Sequence, residues 1–383
     1  VTAPPPTSIL IVDDQPIIGE AVRRMLAPHP EFTLAVCTRA TDALAAVHSV
    51  QPDVILQDLV LPDGDGLELV SAYRRDEALA RTPLIVLSAR EEATTKADAF
   101  ARGANDYLVK LPDAIELVAR IRYHAAAHRA QRERDAAFDA LHAELQSAAR
   151  YVESLIPEPT DGEVGTRWKF VPSASLGGDT LGYHWLDGRR LAIYLLDVCG
   201  HGVGPALLSV SVINALTTGA IGGADAGDPG AVLTALNRLF PMSRHNGMFF
   251  TIWYGVADMD ARTLRYACGG HPPALLVPPS GPARRLGADE RSGPMIGAVP
   301  DIAYETATTT VDPGARLYLY SDGIHEVALP AGDMWTLDAF LALAEAESRQ
   351  GGAVLDRVLA GARRVHGQDD FDDDVSLLEV VLH

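Results

Sequence analysis

The strongest constraint on this chain is a series of short apolar runs that each stop on a polar residue. Runs at 8–13, 54–58, 83–88 and 105–110 end on Asp13, Asp58, Ser88 and Lys110, and a weaker run covers 32–36. Unbroken apolar runs of this length suit strands buried on both faces. Helical patterns lie between them, as at 40–50 and 92–101. Five such β-α units predict an α/β fold over residues 8–122, a five-stranded, doubly wound parallel sheet preceded by a Pro-rich tail at 1–7. Open parallel sheets bind their ligands at the carboxyl ends of the strands, where these polar residues fall.

Asp13, Asp14 and Asp58 at one sheet edge repel one another and require a cation. Their oxygen donors suit Mg²⁺. Lys110 adds a mobile positive charge, and Ser88 a hydroxyl donor for a phosphoryl oxygen. A carboxylate beside Mg²⁺ can attack phosphorus. The plainer alternative is an unreactive flavodoxin-like sheet with acidic loop ends, and Tyr107 alone equally suits a packed aromatic. The whole of 8–122 resembles the receiver domain of two-component response regulators. That resemblance implies that Asp58 accepts a phosphoryl group from a histidine kinase or phosphotransfer protein. It implies that Asp13, Asp14, Asp58 and the Val60 carbonyl hold Mg²⁺, and that Ser88, Tyr107 and Lys110 form the switch. Pro62 and Gly66 also fall where the family has them. One departure is Leu111, which separates Lys110 from Pro112 where the family has Pro directly after the lysine.

The 383 residues leave room for a second domain. A net charge of −19 leaves no basic excess for a phosphate backbone, which argues against nucleic acid as a partner. Anionic substrates stay open, because bound cations invert a local field. Cys37, Cys199 and Cys268 form no CxxC pair and read as free thiols in a reducing compartment. No apolar run is long enough to span a membrane and no leader pattern precedes them, so the expectation is a soluble cytoplasmic protein with no membrane partner.

Residues 113–156 contain neither Gly nor Pro. Phe138, Leu141, Leu145, Ala148, Val152 and Leu155 recur at spacings of three and four. This predicts one long helical connector with a short heptad seam. The seam suits a homodimer; it equally suits a helix packed on its own domain.

Residues 176–181 read LGGDTL. A GGDEF cyclase loop needs an acid where Thr180 stands, and lies deeper within its domain. A metal ligand fits better. Residues 179–185 alternate like a strand, Asp187-Gly188 predicts a two-residue hairpin turn, and an apolar strand at 190–198 carries Asp197. Folding about 187/188 sets residue 179 opposite 196, and so Asp179 within one residue of Asp197. Further acids sit at strand ends: Asp322 after the run at 316–320, and Asp372, Asp373 and Asp374 before the terminal run at 375–381. Four strands can each deliver one carboxylate to a two-ion hydrolytic site.

These residues resemble the PP2C-like (PPM) Ser/Thr phosphatases of the SpoIIE/RsbU-like branch. The motifs are GGD (177–179), DVCGHGVGPALL (197–208), CGGHPPALL (268–276), GPMIGAV (293–299), LYLYSDGIHEV (317–327) and DDDVS (372–376). The resemblance implies an α+β domain at 160–383, a β-sandwich flanked by helices. It implies a centre of two Mn²⁺ or Mg²⁺ ions held by Asp179, Asp197, Asp322, Asp373 and the Val198 carbonyl. Water would attack phosphorus directly, with no covalent protein intermediate. Asp374 is a candidate contributor to a third ion. Cys199 and Pro205 depart from the family's commoner Ser and Ala, and neither removes a ligand.

Other chemistries fit less well. Residues 200–204 lack the Lys-Ser/Thr of a nucleotide loop. A cysteine phosphatase needs Arg six residues after its nucleophile, where Pro205 and Ala274 stand. His201 and His271 read as supporting residues. The chain therefore reads as a response regulator whose output is a metal-dependent phosphatase. By resemblance its substrate is a phosphorylated STAS-type anti-sigma factor antagonist. A non-catalytic adaptor that binds a regulatory protein is the alternative, and a phosphatase controlled only through dimerisation is a third reading.

Overall fold

The structure is a computed structural model that describes residues 6–89, 91–173, 176–329 and 334–383. Residues 1–5 of the expected tail lie outside the described residues. The chain forms two compact units, Val1–Ala140 and Leu141–His383.

The first unit holds β1 (Thr7–Val12), α1 (Pro16–Leu26), β2 (Phe32–Cys37), α2 (Ala40–Val50), β3 (Val54–Asp58), α3 (Gly66–Arg75), β4 (Leu84–Ser88), α4 (Ala93–Ala101) and β5 (Asp106–Val109). The strands pair in parallel in the order β2-β1-β3-β4-β5. Side chains alternate across the sheet. Leu10, Val12, Ile55 and Val86 enter one core, while Ile9, Ile11, Leu56, Ile85 and Leu87 enter the other. Both faces are covered, which is why these runs contain no polar alternation. β2 pairs with β1 alone and is only partly buried, which explains its weaker signal. α2 is capped from a distance: Asp63 accepts hydrogen bonds from Ala40 N (3.0 Å), Thr41 N (3.3 Å) and Thr41 Oγ1 (3.1 Å).

α5 (Ala114–Glu153) is one helix of 40 residues. Leu117, Val118, Ile121 and Ala125 pack under the parallel sheet. No residue of the helix beyond Ala125 is buried. Within the expected seam, Phe138 and Leu141 are 68% and 57% exposed.

The second unit holds β6 (Val164–Val171), β7 (Thr180–Trp185), β8 (Arg190–Val198), α6 (Val203–Thr218), α7 (Pro229–Leu239), β9 (Phe250–Asp258), β10 (Thr263–Gly269), β11 (Ala274–Val277), β12 (Arg284–Leu286), β13 (Ala307–Thr310), β14 (Ala315–Tyr320), α8 (Leu337–Gln350), α9 (Val354–His366) and β15 (Val375–Leu382). Two antiparallel sheets form, β13-β10-β9-β8-β7 and β12-β11-β14-β15-β6. Leu181, Ile193, Leu195 and Trp253 of the first meet Leu276, Leu317, Leu378 and Val380 of the second. α6 and α7 cover the outer face of the first sheet through Leu208, Val212, Leu233 and Leu236. α8 and α9 cover the second through Phe340, Leu341, Val358 and Leu359. The result is a helix–sheet–sheet–helix sandwich. Each fully buried Leu or Val contributes about 1.5–3 kcal/mol to holding it.

The β7–β8 hairpin corrects one expectation. Trp185 pairs with Leu191 and Thr180 with Leu196, and Leu186 N donates to Arg190 O (2.8 Å). The loop therefore has three residues, 187–189, rather than two. Asp187 Oδ1 accepts from the backbone N–H groups of Arg189 (2.9 Å) and Arg190 (2.8 Å). These bonds hold its carboxyl down at about 2 and fix the longer turn. The extra residue moves the register by one, so the next position beyond Thr180 sets Asp179 opposite Asp197 rather than Leu196. Among the described residues no helix is long and apolar enough to cross a membrane.

Candidate active site

At the carboxyl edge of the parallel sheet, Asp13, Asp14 and Asp58 bring carboxylate oxygens within 4.8 Å of one another. Lys110 Nζ lies 2.7 Å from both Asp13 Oδ2 and Asp58 Oδ2. Burial raises the Asp58 carboxyl, Lys110 works against that, and Asp13 adds to it. Burial opposes the charge on Lys110, but the two carboxylates hold the ammonium above its ordinary value. Asp14 Oδ1 is buried without a hydrogen-bond partner among the described residues. Val60 lies two residues beyond Asp58 and donates its N–H to Asp58 Oδ1 (3.3 Å). Ser88 is fully buried at the end of β4, and Tyr107 is buried within the core on the α2–α3 side, with Lys96 over its ring at 5.4 Å. The Lys110–Leu111 peptide is cis. Gly66 explains itself sterically: a Cβ there would lie 2.1 Å from the Asp58 carbonyl oxygen.

In the second unit the acids arrive from different strand ends. Asp179 immediately precedes β7, Asp197 is the penultimate residue of β8, Asp322 opens a 3₁₀ turn just after β14, and Asp373 lies two residues before β15. Asp179 is 2% exposed. Burial pushes its carboxyl well up, reinforced by Asp197 and Asp374 and opposed by the Ser321 and Ser376 hydroxyls. Asp197 is raised by burial and then by Asp322 and Asp373. Asp322 is raised by burial and then by Glu326 and Asp373. Asp179 Oδ2 is buried with no hydrogen-bond partner among the described residues. A pocket of mutually repelling carboxylates with an orphaned oxygen fits divalent cations with hard-oxygen preference. Among the described residues only the N-terminal trio brings three carboxylates within 4.8 Å.

Glycines let the backbone close around this pocket. A Cβ on Gly178 would lie 2.4 Å from the Val198 carbonyl oxygen, so the GGD loop rests directly on that carbonyl. Asp374 was expected as a possible further ligand. Both of its oxygens accept hydrogen bonds, Oδ1 from Ser173 N (2.9 Å) and Oδ2 from Gly178 N (2.9 Å). Sequence reasoning missed this role, along with those of Ser321 and Ser376. The only signal was three consecutive Asp residues where one ligand was needed. His271 is buried, with its Nδ1 2.9 Å from the Pro272 carbonyl oxygen, and Cys268 donates its thiol to the His271 carbonyl. Burial pushes that thiol up to about 11, which agrees with its exclusion as a nucleophile.

The family model for Stage II sporulation protein E (SpoIIE) matches residues 187–383, just over half of the chain. The chain belongs to the SpoIIE family. The model for the response regulator receiver domain matches residues 9–122. Phosphoserine phosphatase RsbP of Bacillus subtilis is 30% identical over 186 residues, covering 47% of this chain and 45% of RsbP. Transcriptional regulatory protein TrcR of Mycobacterium tuberculosis is 36% identical over 118 residues, covering 30% of this chain and 44% of TrcR. The chain spans about half the length of the curated relatives it matches. The solved SiaA-PP2C domain of Pseudomonas aeruginosa superposes with a TM-score of 0.55 at 21% identity, covering 65% of this chain and 99% of that one. That likeness concerns the fold, and it places the sandwich of this SpoIIE-family chain among PP2C-like architectures. A receiver domain, a long helix and a PP2C-like SpoIIE domain thus follow one another along the sequence.

Proposed function

We propose that this chain is a response regulator whose output is a metal-dependent protein serine/threonine phosphatase. The domains would be a receiver at 8–122, a helical connector at 113–156 and a phosphatase at 160–383. The observation that carries the reading is the set of acids in the second unit, three of them driven up by burial and mutual repulsion. Asp179, Asp197, Asp322 and Asp373, with the Val198 carbonyl, would hold two Mn²⁺ or Mg²⁺ ions. When bound, those ions supply Lewis-acid activation of a water nucleophile and neutralise phosphoryl charge. Asp179 is buried and Asp373 exposed, so the set would join an enclosed ligand to one open to solvent. In the receiver, Asp13, Asp14, Asp58 and Val60 would hold Mg²⁺. Asp58 would accept the phosphoryl group from a histidine kinase or phosphotransfer protein, with Lys110 as counter-charge and Ser88 and Tyr107 as switch residues.

The likeness to a phosphoserine phosphatase supports a phosphoserine or phosphothreonine protein as substrate. The SpoIIE/RsbU-like resemblance points to a STAS-type anti-sigma factor antagonist. The exposed seam on α5 supports a homodimer, and the three free cysteines support a cytoplasmic setting. The test is Mn²⁺-dependent hydrolysis of p-nitrophenyl phosphate and of a phosphorylated STAS protein, with and without beryllofluoride. Turnover abolished in Asp179→Asn and altered by beryllofluoride is the expected result. Full activity in Asp179→Asn would rule out this metal centre. Binding of the STAS protein with no turnover would favour the adaptor.

A further inference from the structure

The loops that carry the C-terminal acids meet at a fifth carboxylate. Asp374 is 4% exposed. Its Oδ1 accepts from Ser173 N (2.9 Å) and Ser173 Oγ (3.0 Å), and its Oδ2 from Gly178 N (2.9 Å). Its carbonyl accepts from Ser321 Oγ (3.1 Å), and that hydroxyl accepts from Ser376 N (2.9 Å). Its own N–H donates to Asp373 Oδ1 (2.8 Å). One residue therefore touches the segment leading into Asp179, the residue before Asp322, and the side chain of Asp373. Space around it is filled as well. A Cβ on Gly177 would lie 2.1 Å from Asp374 Oδ2, and one on Gly323 would lie 2.3 Å from the Asp374 carbonyl oxygen.

We propose that Asp374 is a positioning residue that holds Asp179 in register with Asp322 and Asp373, and that it is not itself a metal ligand. The proposal rests on reading those three acids as ligands. Three donors already occupy three of the roughly four lone-pair sites on its two oxygens, and those bonds shape the loop. Buried hydrogen bonds of this kind orient the true ligands before an ion arrives, and losing such support typically costs 10–100-fold in metal affinity, on the order of the loss expected here. Asp374→Asn keeps the size and an acceptor for Ser173 but aims an amide donor at the Gly178 N–H. Ser173→Ala is milder, because it removes one hydroxyl donor and leaves both backbone bonds.

The experiment is Mn²⁺ titration calorimetry on the metal-stripped full chain, with melting curves for each variant. Sites lost in Asp197→Asn define the C-terminal pair and separate it from the receiver site. In Asp374→Asn both C-terminal sites are expected to weaken by about 10–100-fold while the receiver site is unchanged. Phosphatase activity is expected to recover towards wild type at saturating Mn²⁺, a shift in metal KM rather than in kcat. Ser173→Ala is expected to weaken the pair by a smaller factor and decides the matter if Asp374→Asn does not fold. Wild-type affinity in both variants overturns the proposal. So does loss of a single ion with the others unaffected, which would make Asp374 a ligand. If the wild-type chain shows no Asp197-dependent sites, the metal reading itself fails.

Discussion

Gly178 has no room for a side chain. Its Cβ position lies 2.4 Å from the Val198 carbonyl oxygen and 3.1 Å from that of Gly200. Gly178→Ala must shift either the loop that carries Asp179 or the Val198 carbonyl it rests on, so we expect at least a tenfold rise, on the order of that for lost ligand support, in the Mn²⁺ concentration that supports half-maximal hydrolysis. Unchanged metal dependence would contradict the close packing. His271 carries a second prediction. Burial drives its imidazole down to about 4, and His325 adds to that. The folded protein refuses a proton that the unfolded chain accepts below its ordinary value near 6.5. Stability is therefore full above about pH 6.5 and falls as pH drops towards 4. At about pH 5 the loss from this group is about 2 kcal/mol. Urea unfolding followed at about pH 7.5 and about pH 5 should show that drop in wild type and a smaller one in His271→Gln. Equal drops would assign the slope to other groups.

At the scale of elements, α2 depends on a carboxylate outside its own sequence. Its N-cap residue, Arg39, makes no side-chain cap, and Asp63 takes that place. The Ala40 backbone bond, aided by those from Thr41, holds the Asp63 carboxyl at about 2. Its contribution is present above its ordinary value near 3.8 and disappears as pH falls through about 2. Asp63→Ala is expected to lower the melting temperature of the first unit by a few degrees at neutral pH, with the gap closing in strong acid. A gap that does not change with pH would point to lost packing instead of lost charge. This cap was not legible in the sequence, because nothing local links residue 63 to residue 40. What was legible had a local cause. Apolar runs at 8–13 and 83–88 are unbroken because helices cover both faces, and Asp13 and Asp58 stand out because they end such runs. The β7–β8 hairpin was read one residue out of register, because Asp187 closes a three-residue loop that resembles a two-residue turn in sequence. Asp373 and Asp374 are neighbours of the same type, and the burial of Asp374 and its hydrogen bonds to Ser173 and Gly178 tell them apart.

Across the whole molecule, the SpoIIE family assignment and the receiver match divide the chemistry between two units that have separate cores. α5 leaves the receiver core at Ala125 and continues to Glu153 without a glycine or proline. The two sheets of the second unit close on Trp253, which is fully buried between them, whereas Trp185 is 45% exposed at the end of β7. All four tryptophans (Trp168, Trp185, Trp253 and Trp335) belong to the second unit, and the first has none. Tryptophan emission, excited selectively at about 295 nm so that the tyrosines of the first unit stay dark, is thus a native reporter of one unit only. Beryllofluoride binding at Asp58 should be optically silent unless its effect is transmitted along the chain. A change in emission intensity or wavelength on adding beryllofluoride, absent in Asp58→Asn, is the expected outcome for a coupled switch. An unchanged spectrum would mean that the signal stops before the tryptophans of the second unit, and no label would have been needed to learn it.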